Sequence, residues 1–209
     1  MSLKSLIALM VLTPLLLLGC SSVPQSTLPV QWQQHQKTLQ QIDQFQVTGK
    51  LGYISPEERQ SLNFFWHHQP YYSELRLTTV LGQTALKLAI SPDGARITTY
   101  EDDVFEGQDA TSLIYRLTGL RIPVTQLPAW LLGLPQDEQQ FTLNDQNTLA
   151  SLTAESTRQG VTRAPWHIAY QRYRDIDVNG ERLPLPSKLQ LTQGDIKLNI
   201  VITKWTVTP

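Results

Sequence analysis

The chain has 209 residues, 41% of them hydrophobic and 17% charged, and a formal net charge of −1. That is enough for one ordinary domain, or two small ones at most. Near-neutral charge without a block of like sign excludes the basic stripe of a nucleic-acid binder, and argues against strong electrostatic docking on anionic lipid. Cys20 is the single cysteine, so no intrachain disulfide is possible.

Residues 1–19 read MSLKSLIALMVLTPLLLLG, one lysine followed by an apolar run interrupted at Pro14. A spanning helix needs about 20 apolar residues. The shorter run predicts a secretory signal peptide over 1–19, absent from the mature protein. The stretch LLGC resembles the bacterial lipobox, with Leu17 and Gly19 placed as expected before Cys20. It predicts Cys20 as the first mature residue, S-diacylglycerylated and N-acylated. Each buried methylene contributes about 0.8 kcal/mol, and stable anchoring takes about two chains. Three chains would hold the protein on a membrane almost permanently. Ser21, where Asp would favour retention at the inner membrane, directs such a lipoprotein to the outer membrane by the same resemblance. SSVPQSTLPVQ then reads as a flexible tether, which leaves 20–31 as lipidated tether and 32–209 as a single domain.

From Trp32 to about Gln44 the apolar residues Trp32, Leu39 and Ile42 predict a helix with one narrow buried face. Alternation follows. Phe45, Val47, Leu51 and Tyr53 share one side of a strand in which Gly49 permits a bulge. Leu62, Phe64 and Trp66 share a face, and ELRLTT, TALKLAIS and GARITTYE alternate likewise. DATSLIYRLTGL predicts a helix capped by Asp109 and stopped by Gly119, with Leu113, Ile114 and Leu117 inward. TQLPAWLLGLP predicts a second, with Pro128 in its first turn and Gly133 at its end. Strands resume with FTLND, LASLTAE, WHIAYQRYRDI, SKLQLTQ and IKLNIVITKW, where Ile196, Leu198, Ile200 and Ile202 point one way. The order predicts an α+β fold, a large antiparallel sheet covered on one face by short helices.

Enzymatic signatures are missing: no G-x-S-x-G elbow, no H-E-x-x-H and no phosphate loop. The expectation is a non-enzyme without cofactor or metal. His67 and His68 are adjacent at what reads as an exposed strand end, facing opposite ways, and His35 and His167 have no sequence-near ligand partner. DIDVNG, Asp175 to Gly180, copies half of an EF-hand loop. The twelfth position is Pro186 instead of Glu, so Asn179-Gly180 reads as a hairpin turn.

Two features remain unabsorbed. The sheet looks larger than its helices can cover, and a curled sheet with an incompletely filled interior leaves a concave apolar cavity. Periodicity suggests Phe64, Trp66, Leu113, Leu117, Trp130, Ile200 and Ile202 as lining, mixed with ordinary core. The other feature is TTVLGQT, where Val80 and Leu81 stand immediately before Gly82 in a turn that would normally be polar.

WQQHQ, GYIS, FFWHHQ, LTTVLGQT, LTGLRIPV, WLLGLP, TLNDQ, WHIAY and the terminal KW resemble, in order and spacing, the LolB family of outer-membrane lipoprotein receptors. The resemblance runs from about Trp32 to Trp205 and takes in all five tryptophans. It implies an incomplete antiparallel β-barrel with a hydrophobic interior and helices as a lid. It also implies a partner, a soluble periplasmic carrier of the LolA type, whose lipoprotein cargo is passed into the outer membrane as the acyl chains are sheltered. The family carries an apolar loop with a protruding leucine used in delivery, which aligns with Leu81 and makes Val80, Leu81 and Gly82 the membrane-insertion loop. A monomer is expected. The alternatives are a lipid-anchored binding protein for a free lipid or other hydrophobic ligand, and a structural envelope lipoprotein with a solid core.

Overall fold

The structure, a computed structural model, describes residues 24–136, 140–158 and 161–208. Helix α1 (Trp32–Gln40) is followed by six strands: β1 (Gln44–Ile54), β2 (Arg59–Gln69), β3 (Tyr72–Thr78), β4 (Thr84–Ser91), β5 (Gly94–Thr99) and β6 (Val104–Gly107). Helices α2 (Ala110–Thr118) and α3 (Leu127–Leu132) come next. Five strands complete the chain: β7 (Gln140–Leu143), β8 (Leu149–Arg158), β9 (Val161–Val178), β10 (Glu181–Gln193) and β11 (Ile196–Thr208).

All eleven strands join one antiparallel sheet in the order β6-β5-β4-β3-β2-β1-β11-β10-β9-β8-β7. β6 and β7 are its two free edges, so the barrel is unclosed, and α2 and α3 lie on the chain that passes from one edge to the other. The expected α+β sheet with a helical cover is the observed fold. Its curvature has a local cause at Gly49, where the β1–β11 register shifts. A Cβ there would collide with the Val201 carbonyl oxygen and the Phe64 ring, so only glycine lets β11 approach at the bulge.

Alternation is obeyed along β1: Phe45, Val47, Leu51 and Tyr53 are buried, whereas Gln46 and Lys50 are exposed. Leu62, Phe64 and Trp66 of β2 and Ile196, Leu198, Ile200 and Ile202 of β11 continue the same inner face. The caps act where the sequence placed them. Asp109 accepts a hydrogen bond from the Ser112 N–H, and Gly119 and Gly133 end α2 and α3 in the left-handed conformation. In the β9–β10 hairpin Asn179 and Gly180 have φ of 55° and 83°, the double left-handed turn that Asn-Gly favours.

Three expectations are corrected. The first helix stops at Gln40, short of Gln44, because the backbone from Gln44 onward is taken by pairing to both β11 and β2. His68 is no exposed terminus: its ring lies 5.1 Å from Phe45 and its Nδ1 is 2.6 Å from Ser73 Oγ. The stretch expected to be a free tether is held at two points, where the Ser26 N–H donates to Tyr173 O and the Val30 N–H to Gln146 O, each at 2.9 Å.

Candidate functional site: a closed apolar interior and an exposed apolar tip

The inner face of the sheet converges on α2, α3 and the loop between them. Leu120, Ile122 and Val124 of that loop are buried, as are Leu113 and Ile114 of α2 and Leu127, Trp130, Leu131 and Leu132 of α3. Ile122 and Val124 lie in irregular backbone between the two helices, outside the elements read from the sequence.

At the centre is an apolar void of about 20 Å³ lined by Leu51, Phe64, Trp66, Leu75, Leu77, Ile122, Leu127, Leu131 and Ile200. That is room for about one water molecule, and small-ligand sites run from about 300 Å³ upward. The open cavity expected from the sheet's size is therefore filled in this state: the α2–α3 loop inserts its own side chains where an unfilled interior was anticipated. Of the suggested lining residues, Phe64, Trp66 and Ile200 face the void. Leu113, Trp130 and Ile202 are buried in the surrounding core, and Leu117 is only half-buried against it. The period-2 pattern of ELRLTT contained the signal for Leu75 and Leu77. Leu127 and Leu131 fall in a segment that the sequence marked only as a short helix.

Few polar contacts hold α3 against the sheet. The buried Tyr170 Oη donates to Trp130 O at 2.9 Å, and burial pushes the Tyr170 hydroxyl well above the usual phenol range, so it remains a donor at any physiological pH. The buried Trp130 Nε1 has no acceptor among the described residues. An unpaired buried donor costs about 1–3 kcal/mol, which offsets part of what the apolar packing of α3 contributes.

At the end of the sheet where β1 terminates, β3 and β4 are joined by the loop Val80–Gly82. The Gly82 N–H donates to Thr79 O at 2.9 Å, the Thr79 N–H to Gln83 O at 2.9 Å, and the Gln83 N–H to Thr79 Oγ1 at 3.3 Å. Gly82 takes φ of 84°, so a three-residue hairpin loop closes with glycine at the left-handed position. This backbone needs Thr79 and Gly82 and makes no demand for Val80 or Leu81. Those two are 72% and 86% exposed, and Leu81 is the most exposed large hydrophobic residue among the described residues.

α1 lies at the opposite end, preceding the start of β1. Its His35 is 5% exposed beside Trp32, and burial lowers the imidazole pKa to about 4. His167 Nδ1 is 3.1 Å from Thr153 Oγ1. Among the described residues no group of His, Cys, Asp or Glu could hold a metal ion, and no helix is long and apolar enough to cross a membrane. Cys20 lies outside the described residues.

Similarity to known proteins follows the same lines. The family profile described as "Outer membrane lipoprotein LolB" matches residues 43–205. The outer-membrane lipoprotein LolB of Vibrio campbellii is 54% identical over 208 residues, covering 100% of both chains, and that of Vibrio cholerae is 49% identical over 195 residues, 93% of each. A DUF1329 family protein from Desulfovibrio piger shares the fold, with a TM-score of 0.50 at 7% identity over 82% of this chain and 88% of its own. On the family match and on this identity along its whole length, the chain belongs to the LolB family of outer-membrane lipoproteins.

Proposed function

We propose that this protein is a lipid-anchored receptor on the periplasmic face of the outer membrane. It accepts lipoproteins from a soluble LolA-type carrier, shelters their acyl chains beneath α2 and α3, and releases them into the bilayer. Residues 1–19 act as the removed signal peptide and Cys20 carries the anchor. The observation that carries the reading is Leu81, a bulky aliphatic side chain held in water by a hairpin that has no structural use for it.

The physics constrains the path. Each methylene exposed to water costs about 0.8 kcal/mol, so the chains pass between apolar surfaces throughout. The sequence has no nucleotide motif, and transfer runs downhill by differential affinity, about 1.4 kcal/mol for each tenfold bias. A void of about 20 Å³ cannot hold an acyl chain, so acceptance requires α3 and the α2–α3 loop to swing away from the sheet. The lined void between Phe64, Trp66 and Ile200 marks where they part. Leu81 enters the bilayer at the mouth, and the protein works as a monomer without a catalytic step.

Leu81→Glu tests the delivery role. The variant takes lipoprotein from the loaded carrier but fails to incorporate it into liposomes; normal incorporation would overturn the role given to this loop. A free-lipid binding protein would leave the carrier's cargo in place.

A further inference from the structure

The outer, convex face of the sheet carries a charge pattern that no stretch of the sequence reveals. Cross-strand register places Lys50 of β1 opposite Val201 of β11, Val201 opposite Lys188 of β10, and Lys188 opposite Arg172 of β9. Lys204 pairs with Thr48, two residues along β1 from Lys50. Arg174 reaches the same surface and donates to Thr203 O at 2.9 Å. Strands lie about 4.8 Å apart, so one rung puts three cations within about 15 Å, with a fourth a further pleat away.

Among the described residues nothing on this face neutralises them. β1, β2 and β11 contain no Asp or Glu, and the only acidic residue of β10 is Glu181 at its far end. The nearby carboxylate Glu74 is already paired with Arg76 and Lys87, and Asp175 faces Arg182. Among the described residues Lys50, Arg172, Lys188 and Lys204 are exposed and meet no carboxylate. Val201, in the middle of the rung, is an exposed aliphatic at 39%. Four of the chain's 17 lysines and arginines therefore gather on these neighbouring strands without a carboxylate among the described residues.

Position identifies what would neutralise them. The N-terminal segment that leads to Cys20 joins the body at Tyr173 of β9, and the Val80–Leu81 tip caps β3. In the order of the sheet β3 and β9 are separated by β2, β1, β11 and β10, a span of five strand spacings or about 24 Å. The cationic belt occupies the ground between the two. We propose that this convex face docks on anionic phospholipid headgroups and lays the body side-on against the bilayer, between the Cys20 anchor and the Leu81 tip. The inference deepens the delivery reading and rests on it for the two flanking contacts. A tethered surface of headgroups is always within reach, and a broad convex sheet has no recess for a protein knob; an anionic protein partner is the competing occupant.

The test uses the full lipid-anchored protein in vesicles. Val201→Cys supplies the one free thiol when Cys20 is acylated, and takes an environment-sensitive dye at the centre of the belt. Replacing a third of the phosphatidylcholine with phosphatidylglycerol shifts the dye emission to the blue, and salt of about 1 M, where the Debye length is about 3 Å, reverses the shift. Each cation near an anionic surface contributes such that Lys50→Gln, Lys188→Gln or Lys204→Gln lowers the docked-to-undocked ratio about fivefold, and the triple variant about a hundredfold. Equal emission on both vesicle types, or a triple variant that still responds, overturns the proposal. So does a shift that requires the added carrier in place of the anionic lipid. Incorporation of carrier-bound lipoprotein by the unlabelled wild type is scored in parallel: its loss refutes the delivery reading, whereas its presence with a silent dye refutes only the docking face.

Discussion

This chain gathers apolar side chains in two places that obey opposite rules. Beneath the lid, Trp130 and Leu131 are each 1% exposed, and each such side chain stabilises the fold by about 1.5–3 kcal/mol relative to an exposed one. At the β3–β4 tip, Val80 and Leu81 have the same chemistry and give the fold almost nothing, because their surface stays in water. The interior residues are accounted for by folding. The tip has no such account within the fold, and that asymmetry is what the proposed delivery role would explain.

The comparison breaks if the two regions respond alike to substitution. Trp130→Ala is expected to give the largest stability loss, about 3–5 kcal/mol by chemical denaturation, through lost burial and the cavity left behind. A smaller loss would mean that α3 packs loosely enough to move at little cost.

Acidification probes the buried end of the same interior. His35 is held neutral by burial, with its pKa lowered to about 4 from the ordinary 6.5. Between those two pH values the unfolded chain binds the extra proton and the folded one does not, so stability declines as pH falls from about 6.5 to about 4. The full loss is about 3 kcal/mol. Urea midpoints across that window should show the decline, and His35→Phe should flatten it.

Tyr170→Phe removes the Tyr170–Trp130 tie. Trp130 O still accepts from the Gly133 N–H at 3.1 Å, so the cost is about 1 kcal/mol. The variant should bind a hydrophobic fluorescent probe more readily than wild type, because the closed lid has lost its fastening. Unchanged probe uptake would place the moving element elsewhere.

Leu81→Glu gives the smallest stability effect, within about 0.5 kcal/mol, together with the loss of delivery into membranes. That combination sharpens the contrast with Trp130→Ala more than either result alone. A loss of several kcal/mol would instead return Leu81 to the core.

Much of the fold was legible because its instructions are local. Period-2 runs such as FQVTGKLGY, the Asp109 cap, the glycine stops at 119 and 133, and Asn179-Gly180 each state a backbone requirement within a few neighbouring residues. The anomaly at Val80 and Leu81 was legible locally, as bulky aliphatics in a turn that is normally polar. Periodicity alone fits Leu81 folded back onto the core, and only the resemblance to the LolB family pointed outward, where the side chain lies. The void lining was half legible, since strand alternation marks inward residues but does not say which of them the lid covers.

The sequence by itself determined the faces of ten strands but missed β6 and the first half of β10. It also determined the helix limits apart from the end of α1, the hairpin chemistry and the family, all properties set by short-range periodicity, backbone conformation and residue order. Only the tertiary structure decided that the interior is closed, because Ile122 and Val124 come from an irregular loop whose path depends on what the curled sheet leaves empty. It also decided the cationic belt. Lys50, Arg172, Lys188 and Lys204 stand alone among neutral neighbours or among charges of both signs along the chain, and it is the pairing of β1, β11, β10 and β9 that brings them onto one rung. Charge density is a property of surface area, and a sequence has no area until the strands find their register.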